Sequence, residues 1–156
     1  MGYVQEIRQL VGTRPIILVG ANVIVIDQLG RMLLQLRSDN NCWGLPGGTM
    51  EPGETLEEVA KRELLEEKNL TAIELIPFNF YSGKEFYYRY PHGDEVYNVV
   101  ATYICRQYHG LLQGNSDEVL DVQFFYPNEL PVNCSPPDLP MIQDYFRLFS
   151  VGEGEL

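Results

Sequence analysis

Three carboxylates set the chemical problem. Glu63, Glu66 and Glu67 stand at i, i+3 and i+4, so on a helix they emerge from one face. The flanking residues predict that helix. Thr55 is a good N-cap, and Glu58 three residues later completes a capping box. Glu57 and Glu58 favour the positive end of the dipole. Lys68 suits the last turn, and Asn69 suits the left-handed position that ends a helix. On a wheel of about 100° per residue, Leu56, Val59, Ala60, Leu64 and Leu70 mark an apolar stripe. Glu63 and Glu67 fall inside that stripe and Glu66 at its edge, whereas Glu57, Glu58 and Lys61 lie outside it. A solvated acidic face would cost nothing. Carboxylates that interrupt a buried stripe are costly unless compensated, and they raise one another's pKa. A divalent cation compensates them, and clustered hard oxygens with room for water suit Mg²⁺ or Mn²⁺.

The residues around the cluster resemble the Nudix box. Gly48, Glu54, Arg62, Glu63, Leu64, Glu66, Glu67 and Leu70 fit its spacing, with Asn69 where the family has Gly. Asn tolerates the left-handed conformation, so the helix end is expected to survive. The approach LLQLRSDNNCWGLPGG is also similar to Nudix domains of the MutT type. The resemblance implies an α/β fold, an α/β/α sandwich with a mixed sheet between helices. It implies a pyrophosphohydrolase acting on a nucleoside diphosphate-X substrate. Metal ligands would be Glu63, Glu66 and Glu67, with the Gly47 carbonyl as a further ligand. Arg62 would orient the carboxylates, and Glu54 would buttress the loop of the box. Glu118 is the expected loop ligand or general base, with Asp117, then Asp94 and Glu95, as alternatives.

The substrate is less defined. Arg37 and Lys84 are candidates to hold a second phosphate. Tyr81, Phe86, Tyr87, Tyr88, Tyr90 and Tyr97 could stack on a base, although aromatics in strands are commonly half core and half surface. Tyr87 and Tyr88 lie at the offset where the family's diadenosine polyphosphate hydrolases carry a Tyr. The Pro that marks ADP-ribose enzymes is missing there. A non-catalytic nucleotide-binding or sensing module of the same fold is the alternative, and loss of Glu66 or Glu67 would have signalled it. A calcium-buffering helix would need a loop carbonyl spacing that the chain lacks.

The elements that must position these residues can be read along the chain. Its 156 residues make one domain. Residues 1–14 form an N-terminal helical extension, with helical spacing over Tyr3 to Val11, and 152–156 a flexible tail. IILVGANVIVID and RMLLQLR read as two strands of a hairpin about the turn at Asp27 to Gly30. After the box, AIELIPFNFY, KEFYYRY, EVYNVVATYICRQY and VLDVQFFY read as strands, with a hairpin turn at Pro91 to Asp94. Pro127 to Leu130 is a turn, Pro131 to Pro140 a loop, and Met141 to Phe149 a closing helix.

A net charge of −11 argues against nucleic-acid or anionic-membrane partners. A polyanionic small molecule then needs metal ions to bridge it to the protein. No apolar run has transmembrane length and no signal peptide is evident, so a cytoplasmic protein is expected. Cys42, Cys105 and Cys134 lack metal-ligand spacing and are expected as free thiols. A homodimer is compatible with all of this.

Overall fold

The computed structural model describes residues 2–113 and 116–154, with side chains through residue 149. In chain order it contains α1 (Tyr3–Val11), β1 (Ile16–Val25), β2 (Met32–Arg37), β3 (Trp43–Gly44), β4 (Gly47–Thr49) and α2 (Leu56–Lys68). There follow β5 (Thr71–Tyr81), β6 (Tyr87–Arg89), β7 (Glu95–His109), β8 (Val119–Phe125) and α3 (Leu139–Gly154).

The β-branched run of β1 is the spine. It pairs parallel with β7, from Ile16 opposite Val96 to Val25 opposite Cys105, and antiparallel with β4 on its other side. β5 closes the far edge of β7, and β6 pairs with the start of β7. A second, antiparallel sheet runs β3-β2-β8. Strand side chains alternate between faces, and β1 uses both. Val23 and Val25 meet Val59, Ala60 and Leu64 of α2. Ile24 and Ile26 meet Met141, Ile142 and Tyr145 of α3. The result is the expected sandwich, with a mixed sheet between helices.

Three local expectations are corrected. β1 and β2 do not form a hairpin; they enter different sheets and share one isolated bridge, Ile26 to Met32. β4 covers its edge of β1 only at Gly20 to Asn22; after the bridge at Met32, β2 pairs with β3 and β8 instead. KEFYYRY is not one strand. Lys84–Phe86 is a 3₁₀ turn that follows Gly83 at φ 104°, and it drops Phe86 into the core before β6 begins. The closing helix starts at Leu139 and continues through Gly154, past the expected start of the tail. The rest of that tail, Glu155 and Leu156, lies outside the described residues. Among the described residues, no helix is long and apolar enough to cross a membrane.

Candidate active site

The helix that carries the carboxylates is fixed at both ends. The Thr55 hydroxyl accepts from the Glu58 N–H at 3.1 Å, and the Glu58 carboxylate accepts from the Thr55 N–H at 3.1 Å. Asn69 ends the helix at φ 58°, ψ 29°, its N–H donating to the Leu64 and Leu65 carbonyls. With its ends set, α2 lies against β4 with Glu63 and Glu67 facing Gly47 and Gly48. The approach is close enough to require glycine. A Cβ on Gly48 would sit 2.4 Å from the Glu63 carboxyl, and one on Gly47 2.4 Å from the Ala21 carbonyl. The Gly47 N–H donates to Glu67 Oε1 at 3.1 Å.

Arg62 ties the cluster to the loop. Its Nε and Nη2 fork onto Glu54 at 2.7 and 2.9 Å, and its Nη1 donates to Glu63 Oε1 at 2.7 Å. Nη2 also reaches the Thr49 carbonyl at 3.2 Å. Glu54 in turn accepts from the Glu51 N–H at 2.8 Å. The fork from Arg62 holds Glu54 below its usual pKa. Burial pushes Glu63 up despite the same arginine. Burial, then the neighbouring Glu63, pushes Glu67 up to about 7.

Glu63 and Glu67 open into a cavity of about 310 Å³ that also meets Gly47, Gly48, Arg37 and Glu118. Leu45, Tyr90, Asn98, Ser135 and Asp138 line it as well. The structure therefore gathers the predicted Gly47, Glu63, Glu67, Arg37 and Glu118 around one space. Glu66 stands apart: its side chain is 60% exposed and pairs with Arg62 at 3.5 Å, against 15% for Glu63. Among the described residues, no three acidic, His or Cys side chains are already drawn together as a metal cage. Arg37 is engaged, its Nε and Nη2 forked onto Asp39 at 3.1 and 3.0 Å. Lys84 and Tyr87 are exposed and line no part of the cavity, and the Tyr87 hydroxyl donates to Glu95. Tyr88 accepts from Asn40 Nδ2 at 3.3 Å behind Tyr90, and it is Tyr90 that reaches the cavity. Asp117 offers its backbone carbonyl to Ser38, whereas Glu118 faces the site. All three cysteines are free.

Asp138 escaped the sequence reading. Its Oδ2 accepts from the Leu45 N–H at 3.0 Å, and burial pushes its carboxyl up to about 6. Asn22 beside it is buried, with Oδ1 accepting from the Thr102 hydroxyl at 2.7 Å. Nothing in residue type separates Asp138 from other loop acids. Its only signal is its place directly before a helix, in a Pro-rich segment.

Comparison with known proteins agrees with this geometry. The family model for the NUDIX domain matches residues 17–146. A Bacillus subtilis protein, provisionally named an 8-oxo-dGTP diphosphatase, is 42% identical over 67 residues, 43% of this chain and 45% of that protein. The chain thus spans under half of that relative. The ADP-ribose pyrophosphatase of Methanocaldococcus jannaschii is 32% identical over 126 residues, 79% of this chain and 70% of that one. Among solved structures, the MutT NUDIX hydrolase of Burkholderia pseudomallei superposes with a TM-score of 0.70 at 22% identity, covering 83% of this chain and 97% of its own. The NUDIX domain of Shewanella oneidensis NrtR, solved with ADP ribose, gives 0.66 at 18% identity, covering 94% and 98%. With the box assembled on α2 and the family model matched over most of its length, the chain belongs to the Nudix family.

Proposed function

We propose that the chain is a metal-dependent pyrophosphohydrolase that cleaves the diphosphate linkage of a nucleoside diphosphate-X substrate. One observation carries the reading. Glu63 and Glu67, one helical turn apart, face a glycine backbone across a cavity, and burial, then the neighbouring Glu63, raises the pKa of Glu67 to about 7. The residues fit Mg²⁺ or Mn²⁺. The donors are all hard oxygens, and Mg²⁺ takes only one or two protein carboxylates, keeping several waters and substrate phosphates. Glu63 and Glu67 would hold the ion, with the Gly47 carbonyl, Glu66 and Glu118 as the remaining ligands of the proposal. When bound, the ion neutralises phosphate oxygens and lowers the pKa of its water.

The chain's own residues do the rest. Arg62 keeps Glu63 aimed at the cavity. The glycine pair lets a phosphate approach the backbone. Glu118, exposed at the cavity rim, is the proposed base for the attacking water. The names of the two curated relatives support a nucleotide derivative as substrate, as does the ADP ribose bound in one structural neighbour. The three unpaired thiols support a cytoplasmic setting. A homodimer belongs to the same proposal, since β5 ends its sheet with Ile73, Ile76 and Phe80 exposed.

The test is a panel of ADP-ribose, nucleotide sugars, dinucleoside polyphosphates and nucleoside triphosphates with Mg²⁺. Wild type is compared with Glu67→Gln, which keeps size and removes charge. The mutant should fold normally and lose about 10²–10³ in rate, the usual loss on removing a preorganised charge. A wild type that binds nucleotides without turnover would make this a sensing module instead.

A further inference from the structure

A second cavity, of about 640 Å³, adjoins the first on the side of α1. Arg37, Glu63, Tyr90 and Glu118 border both cavities. Its outer wall is Val4, Gln5 and Arg8 of α1, a helix outside the residues matched by the family model.

The packing of α1 is unusual for a structural helix, because none of its described residues is fully buried. Polar contacts hold it instead. The Tyr3 N–H donates to both Glu51 carboxylate oxygens at 3.2 Å. Arg8 donates to the Gly12, Arg14 and Glu95 carbonyls at 3.0, 2.7 and 2.6 Å, and lies 3.6 Å from Asp94. A helix that gives the core so little, yet is tied at both ends, serves to enclose this space.

The wall chemistry selects the occupant. Every described cation that lines the cavity is already paired: Arg8 with carbonyls and Asp94, Arg37 with Asp39, Arg62 with Glu54 and Glu63. A further phosphate would meet no open cation. Hydroxyl groups would meet the carboxylates of Asp39, Glu51 and Asp94, the Gln5 amide, and the stacked rings of Tyr90 and His92, 5.4 Å apart at 9°. Resting on the hydrolase reading, we propose that the cavity under α1 receives the X group of the substrate, and that X is an uncharged, hydroxyl-rich group of the sugar class.

The experiment uses the full chain with Mg²⁺ and compares ADP-ribose and ADP-glucose with ATP and diadenosine triphosphate. Val4→Trp fills the cavity, and Gln5→Leu, at an exposed position, removes the amide together with the 3.4 Å bond it accepts from the Gly2 N–H. Wild type should favour the sugar substrates over ATP. Each variant should lower the ADP-ribose to ATP ratio of kcat/KM by about ten-fold, through KM rather than kcat. Loosening of α1 alone would depress both substrates together and leave the ratio unmoved. In parallel, a non-hydrolysable methylene analogue of ADP-ribose and AMP are titrated calorimetrically into wild type and both variants. The analogue should bind more tightly than AMP, and the variants should erase that excess. Preference for ATP, or a ratio and a binding excess that neither variant moves, overturns the proposal and leaves the hydrolase reading intact. Binding with the expected excess but no turnover on any substrate sinks the hydrolase reading and leaves the sugar site standing.

Discussion

At the scale of single residues, the carboxylate helix is nearly all legible, because its signals are local. Capping box, apolar stripe and interrupting acids can each be counted along one turn or two. Residues whose roles arise from distant partners are not legible. Lys68 reads as a charge for the last turn. It is instead fully buried, its Nζ donating to the Glu67 carbonyl at 2.9 Å and its pKa lowered by burial. Gln35 is fully buried on β2, two positions from Arg37 on the same face, and neither amide atom has a partner among the described residues. An unsatisfied buried amide costs about 1–3 kcal/mol. Gln35→Leu should therefore stabilise the protein by about 1 kcal/mol, read as a higher urea midpoint at unchanged slope. A lower midpoint would mean that the amide is satisfied in solution.

At the scale of elements, α2 owes its direction to its two ends. Its C-terminal stop departs from the family at Asn69, and the structure shows why the departure is tolerated: Asn69 adopts φ 58° and its side-chain Nδ2 donates to the Leu111 carbonyl at 3.0 Å. Asn69→Gly keeps the backbone conformation and loses only that exposed bond, so its denaturant midpoint should stay close to wild type. Asn69→Val forces a β-branched side chain into the left-handed region and should cost about 1–2 kcal/mol. Equal midpoints for the two variants would show that the cap does not govern this helix end. The long strands β1, β2, β5, β7 and β8 are legible as elements, because β-branched and aromatic runs mark them. Their partners are not. The turn at Asp27 to Gly30 looks like that of a hairpin, and only the completed fold shows β2 leaving after the Ile26–Met32 bridge to pair with β3 and β8.

At the scale of the whole molecule, an acidic balance surrounds a site whose carboxylates, Glu63 and Glu67, are themselves half-buried. The chain carries a net charge of −11, and its most buried acidic cluster faces the cavity. Burial and Glu63 raise Glu67 from 4.5 to about 7, and burial raises Asp138 from 3.8 to about 6. A carboxyl with a raised pKa binds its proton more tightly in the folded chain than in the unfolded one. Its share of stability is therefore present at low pH and is lost as pH rises from the unfolded value through the folded one. For Glu67 that window runs from 4.5 to about 7. Glu54, held low by Arg62, has the opposite sign, and its loss falls below 4.5, outside the window. In chelator, the melting temperature should thus fall as pH is raised from about 5 to about 8, the direction set by proton linkage. If Glu67 holds the proposed ion, millimolar Mn²⁺ should bind the folded chain and raise the melting temperature. Because the ion competes with the proton on Glu67, the Mn²⁺ shift should be largest near pH 8 and shrink towards pH 5, about where the carboxyl takes up its proton. Glu67→Gln should flatten both trends, leaving the metal-free protein less sensitive to pH and the Mn²⁺ shift small. A Mn²⁺ shift equal at both pH values, or undiminished in Glu67→Gln, would show that the ion is not held by this carboxylate.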